Sequence, residues 1–214
     1  MEHDDDPHQV ASDMVRECLH FHCGNGCRGD YDNIDFLNDS MVKSVAESLC
    51  AYRDFCVAHL PLEEHLGKNR RRVSFKCRLV ATLGTTGAKC PQFHIDHVPV
   101  RWIQTFVGPG VEIVVGNNGV RWDAFCRDDD TDEENENDAI LWTPKERNKQ
   151  LVDMNVANVY CAPPGEAVLI LGNEWNQCVT QSSSKLIIQP VVHKSPEISQ
   201  LQPRVLLTQD IIIE

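Results

Sequence analysis

Hydrophobic positions along the chain change their period near residue 73. Before it, Met41, Val45, Leu49, Tyr52 and Cys56 recur every three or four residues, the spacing of one helix face. Asn38, Asp39 or Ser40 is suited to cap that helix. Leu60-Pro61 should close it, because a residue preceding proline avoids helical geometry. From Val73 the period is two: Val73, Phe75, Cys77, Leu79, Ala81 and Leu83 alternate with Ser74, Lys76, Arg78, Val80 and Thr82, which predicts a half-buried strand. The turn GTTGAK follows, then PQFHIDHVPVRWIQTF, the turn Gly108-Pro109-Gly110 and the run VEIVV. Asn117-Asn118-Gly119 turns the chain again, and residues 144–157 read as a short helix or an irregular segment. After Pro163-Pro164-Gly165 come three more apolar runs, EAVLIL, KLIIQPVVH and RVLLTQDIII.

Short strands separated by turns, behind a single helix, predict a mainly β fold, a sandwich or a barrel. Helices do not alternate with the strands, which argues against a parallel α/β sheet. The chain accordingly divides into an irregular, acidic and Cys/His-rich segment at 1–37, frayed over 1–17, a helical lead-in at 38–66 and a β domain at 67–214. A length of 214 residues suits one such domain with a real core. The formal charge is −12, but residues 128–138 and 2–6 carry twelve acids between them and no base. Without those runs the body is neutral, so it lacks the basic face of a nucleic-acid or anionic-membrane binder. The run at 128–138 itself reads as a solvated loop. No apolar run nears the ~20 residues of a membrane span, and the acidic start does not resemble a signal peptide. The expectation is a soluble cytoplasmic protein with no membrane or nucleic-acid partner; a homodimer stays open. Ten cysteines without a repeated CxxC pair then read mostly as reduced thiols, several of them in the core.

The densest chemistry lies in Cys90-Pro91-Gln92-Phe93-His94-Ile95-Asp96-His97. In an extended strand, His94 and Asp96 project to one face and can share one metal ion. A second imidazole in the later β half is His193, at the end of KLIIQPVVH. Two imidazoles and one carboxylate leave three positions open on an octahedral metal, the facial triad of non-haem iron(II) oxygenases. Arg204 follows in RVLLTQD, sharing a strand face with Leu206 and Thr208. Arg101, seven residues after His94, competes with it as a carboxylate anchor; a bulge at Pro99 would be needed to turn it inward.

The order HxD, long gap, His, short gap, Arg resembles the iron(II)/2-oxoglutarate oxygenases. That resemblance implies a small-molecule co-substrate, 2-oxoglutarate, whose distal carboxylate Arg204 grips as a bidentate fork. A closer likeness covers roughly residues 72–210. CPQFHIDHVPVRWIQTFVGPGVEIV, PGEAVLILGNEW, VVHKSP and RVLLTQD resemble the domain of unknown function 1826 family, with its pattern CxxFHxDxVxxR, a GPG turn, an HRSP-like element and an R-V-L-L strand. The likeness implies a cupin-like double-stranded β-helix, or jelly roll, with an N-terminal helix. The zinc-responsive gene neighbourhoods of some bacterial members imply involvement of a metal without naming it. Lys194 stands where the family has Arg, and Asn173 where it has Lys.

Two rival readings stand beside the oxygenase. Cys90, His94, His97 and His193 would make a closed set suited to zinc in a metal-handling protein; in the open triad, His97 would instead orient Asp96. The third class is a cupin interaction module that uses its acidic loop. The front cluster Cys18-x-His20-x-His22-Cys23-x3-Cys27 is a further zinc candidate, and Trp175 a candidate cleft wall.

Overall fold

The computed structural model describes residues 6–23, 34–60, 73–84, 90–116, 118–126, 143–179, 188–199 and 201–213. The acidic run 128–138, Trp142 and Cys27 lie outside them. The elements in chain order are α1 (Pro7–Cys23), α2 (Ile34–His59), β1 (Val73–Leu83), β2 (Val100–Val107), β3 (Glu112–Val115), α3 (Trp122–Cys126), α4 (Pro144–Leu151), β4 (Asn158–Cys161), β5 (Ala167–Leu171), α5 (Trp175–Val179), β6 (His193–Lys194) and β7 (Pro203–Ile213). Among the described residues the strands form two antiparallel sheets, one in the order β1-β7-β2-β5 and one in the order β4-β3-β6, and neither closes into a barrel.

The period-two pattern of β1 sorts its side chains between two different neighbours. Cys77 and Leu79 pack with Leu207 of β7 against Ala11 and Val15 of α1 and Val45, Ala46 and Leu49 of α2. The opposite face of β1, with Arg78, Val80 and Thr82, turns to a cavity shared with the smaller sheet. Ile103 of β2, Ile170 of β5 and Leu206 of β7 meet Val111, Ile113 and Ala162 across the two sheets. Helices therefore cover one face of the larger sheet and the smaller sheet covers the other.

The helix predicted from Met41 to Cys56 is α2, which begins earlier, at Ile34, and ends at His59 before Leu60-Pro61. Its buried stripe is tied to the larger sheet by polar contacts. The Tyr52 hydroxyl donates to Val100 O at 2.7 Å, and Gln209 Nε2 donates to Ser48 O at 3.1 Å. The Tyr52 ring meets Phe75 edge-on, 5.8 Å between centroids.

Two expectations change. Residues 7–23, read as frayed and irregular, form α1, so helix occupies at least as much of the described chain as strand does. Asp6 accepts from the His8 amide at 3.0 Å ahead of Pro7, an N-cap followed by a proline at the first helical position. Val10, Ala11, Met14 and Val15 give α1 a narrow apolar stripe that packs on α2. Of the run KLIIQPVVH, the described residues 188–193 give a strand only His193, which continues into Lys194. Pro190 has no N–H for a ladder, and the described residues before β6 run irregularly.

The described cysteines 18, 50, 56, 77, 90, 161 and 178 are free thiols. Burial raises the Cys56 thiol to about 12 and the Cys77 thiol to about 11, so both behave as apolar packing groups. No described helix is long and apolar enough to cross a membrane.

Candidate metal centre

His94 does not lie in a strand with Asp96. It forms an isolated antiparallel bridge to His193, with His94 N to His193 O at 2.9 Å and His193 N to His94 O at 3.0 Å. The two imidazoles are thereby set side by side, 4.3 Å between ring centroids. Residues 91–99 run irregularly from that bridge to β2 and fold Asp96 beneath both rings. Ligand atoms of His94, Asp96 and His193 all lie within 4.8 Å of one another, the group of this kind found among the described residues.

Hydrogen bonding fixes how the rings present themselves. His94 Nδ1 lies 2.9 Å from Gln92 O, and His193 Nδ1 lies 3.2 Å from Val191 O. A carbonyl only accepts, so both Nδ1 atoms carry the proton and both Nε2 atoms of the neutral rings hold lone pairs. Those atoms face Asp96: His94 Nε2 lies 3.6 Å from Oδ1, and His193 Nε2 lies 3.2 Å from Oδ2. Acceptors then face acceptors. Asp96 Oδ2 is buried without a hydrogen-bond partner. This donor set fits a divalent cation, which would satisfy all three groups together.

Arg101 holds the carboxylate from the other side. Its Nη1 lies 2.9 Å from Asp96 Oδ1, while Nε and Nη2 clasp Asp210 at 2.6 and 2.8 Å. Burial alone would raise the Asp96 carboxyl, but its net shift is downward, and with both imidazoles neutral the Arg101 guanidinium is the cation that holds it there. Burial lowers the His94 imidazole, and the neighbouring His193 lowers it further. Both shifts favour the unprotonated forms that ligate a metal.

A cavity of about 90 Å³ opens on His94 and His193, enough for several waters or one small molecule. Arg204, Leu206 and Thr208 line it from one face of β7, as their two-residue spacing predicts. Arg204 is buried, 3% exposed, and its Nε donates to Pro109 O at 3.1 Å. Arg101 also lines the cavity, but its guanidinium is spent on two carboxylates. No bulge at Pro99 is needed to turn it inward, because His94 lies off the strand and strand parity does not relate the two.

The closed zinc set is not assembled. Cys90 lines the cavity yet falls outside the close ligand group. His97 is exposed, and its Nδ1 meets Asn173 Nδ2 at 2.9 Å, away from Asp96. Trp175 is 8% exposed and packs with Tyr52, Cys56 and Ile211, so it is core and not a cleft wall. The side chains of His20, His22 and Cys23 lie outside the described residues.

Three supports of the site escape a pattern-based reading. Asn148 of α4 accepts from Phe93 N at 2.7 Å and donates to Pro91 O at 2.9 Å, pinning the loop that carries His94. Gly172 and Asn173 donate their amides to Pro99 O and Asp96 O at 3.1 and 3.0 Å. Lys194, beside His193, is buried; its Nζ pairs with Glu112 at 2.7 Å and lies 5.5 Å from the Phe93 ring centroid. The Thr143-x-x-Glu146 capping box ahead of α4 is the one signal legible in the sequence for this group.

A family model described as protein of unknown function (DUF1826) matches residues 76–210. No curated protein and no solved structure matches the chain.

Proposed function

The chain belongs to the protein of unknown function (DUF1826) family, and from that premise we propose that it is a metal-dependent oxygenase of the iron(II)/2-oxoglutarate type. The observation that carries the reading is the pair of Nε2 lone pairs aimed at a buried, partly unsatisfied Asp96. Three protein ligands on one side leave positions for small molecules on the cavity side. Bound iron(II) would supply the activation of dioxygen that such oxygenases need. The chain's own part is to orient both imidazoles through backbone carbonyls and to hold Asp96 ionised through Arg101. Arg204, which shares a cavity wall with Thr208, would take the far carboxylate of 2-oxoglutarate. Two antiparallel sheets facing each other across the site support the cupin-like layout within this reading.

Anaerobic titration of tag-free protein with Fe(II) and then 2-oxoglutarate tests the assignment. Wild type should develop a weak visible metal-to-ligand charge-transfer band that Arg204→Met abolishes while still binding the metal. No band in wild type would end the oxygenase reading. The second reading is a zinc-handling site, favoured by the presence of Cys90 on the cavity wall. It predicts zinc bound as purified and a Cys90→Ser variant that releases it more readily.

A further inference from the structure

Although the protein carries a formal charge of −12, three arginines and two histidines line the cavity, and no described Asp or Glu lines it. A concavity of one sign, set between apolar walls, concentrates ligands of the opposite sign. Arg101 is occupied by Asp96 and Asp210, and Arg204 is the co-substrate anchor of the reading above. Arg78 has no role there. It projects from β1 into the cavity, is exposed, and makes no salt bridge among the described residues. The sequence presents it only as the polar side of an alternating strand.

Sheet register locates it. Arg78 lies directly opposite Thr208, which in turn lies opposite Ile103 of β2. The next row of the same face holds Asp210 and Arg101, whose guanidinium touches the triad's Asp96. Those two rows are about 7 Å apart along the strands. The row of Thr82 and Arg204 lies in the other direction, about 13 Å from Arg78. Arg78 and Arg204 are thus distinct anchors on one floor.

We propose that the molecule on which the metal centre acts is a small anion whose carboxylate or phosphate group is bound by Arg78 beside Thr208, with its reacting part toward His94, Asp96 and His193. Arg78 is then the residue that selects the substrate by charge. The identification of the bound molecule as substrate rests on the triad reading; the anion site itself is measured without metal. A fork of guanidinium donors suits either anion, and Thr208 offers a hydroxyl at the same row.

The full chain, stripped of metal with EDTA and dialysed, is titrated calorimetrically with inorganic phosphate and with glutarate. Wild type should bind at least one of them, more weakly as salt is raised. Arg78→Met should weaken that binding about tenfold or more, with Arg78→Lys intermediate. The probe that responds to Arg78 identifies the anion class. Equal affinity in wild type and Arg78→Met, or no anion binding by wild type, would overturn the proposal. Zinc titration of the same samples reads the metal site separately. Wild-type and Arg78→Met protein should bind zinc alike; absence of zinc binding with Arg78-dependent anion binding intact would retire the triad and leave the anion site standing.

Discussion

Asp96 serves two neighbours through two oxygens, and substitutions separate them. Oδ1 accepts from Arg101, and Oδ2 faces His193 without a hydrogen bond. Asp96→Asn keeps the volume but removes the charge, and its amide can donate to an imidazole lone pair. Metal binding should fall by more than tenfold while the fold persists, as zinc or cobalt titration beside circular dichroism would record. Arg101→Gln acts one step further out. It leaves all three ligands in place but frees Asp96 to turn, so metal affinity should drop about 10–100-fold at unchanged stoichiometry. Unchanged affinity would mean that Arg101 is only a structural tie between β2 and β7. Residue types and spacing were enough to nominate His94, Asp96, His193, Arg204 and Thr208. They could not tell Arg101 from Arg204, because what Arg101 touches depends on Asp210, more than a hundred residues away.

Short elements aim the site. α4 has eight residues and a mostly exposed surface, yet its Asn148 satisfies both backbone groups flanking the turn into His94. Asn148→Ala leaves Phe93 N and Pro91 O without those partners, at about 1–3 kcal/mol if the groups stay dry. The expected result in urea unfolding is a lower midpoint, accompanied by weaker metal binding; a stability loss with unchanged metal affinity would confine Asn148 to scaffolding. Gly172 is under tighter constraint. A Cβ there would lie 2.0 Å from Val98 O and 2.6 Å from Asp96 O. Gly172→Ala must therefore displace the 96–98 backbone, and metal binding should suffer even in protein that still folds. β1, α2 and β7 were legible from periodicity because each buries a regular face. The 91–99 segment and β6 were not, since their geometry comes from the bridge between His94 and His193 and from the amides of Gly172 and Asn173.

On the scale of the whole molecule, α1 and α2 cover one face of the larger sheet and the smaller sheet the other, and the candidate centre lies on the side away from α1 and α2. A metal joining His94, His193 and Asp96 links β6 to the loop before β2, so binding should stabilise the fold. At one hundred times Kd the gain is about 2.7 kcal/mol, which for a chain of this size is roughly 5–10 °C in Tm. EDTA should reverse it in a thermal melt, and His193→Ala should abolish the response. Hydrophobic period and turn residues determined by themselves the body and end of α2 and the course of β1 and β7, because those properties are local. The order of His, Asp, His and Arg determined by itself which chemistry to seek. Tertiary structure alone decided that the two imidazoles stand paired across a bridge with their lone pairs on Asp96. It also decided that Arg101 serves the ligand and that Arg78 shares the cavity with Arg204. Each of those facts is a contact between segments far apart in the chain, and periodicity carries no information about which distant faces meet.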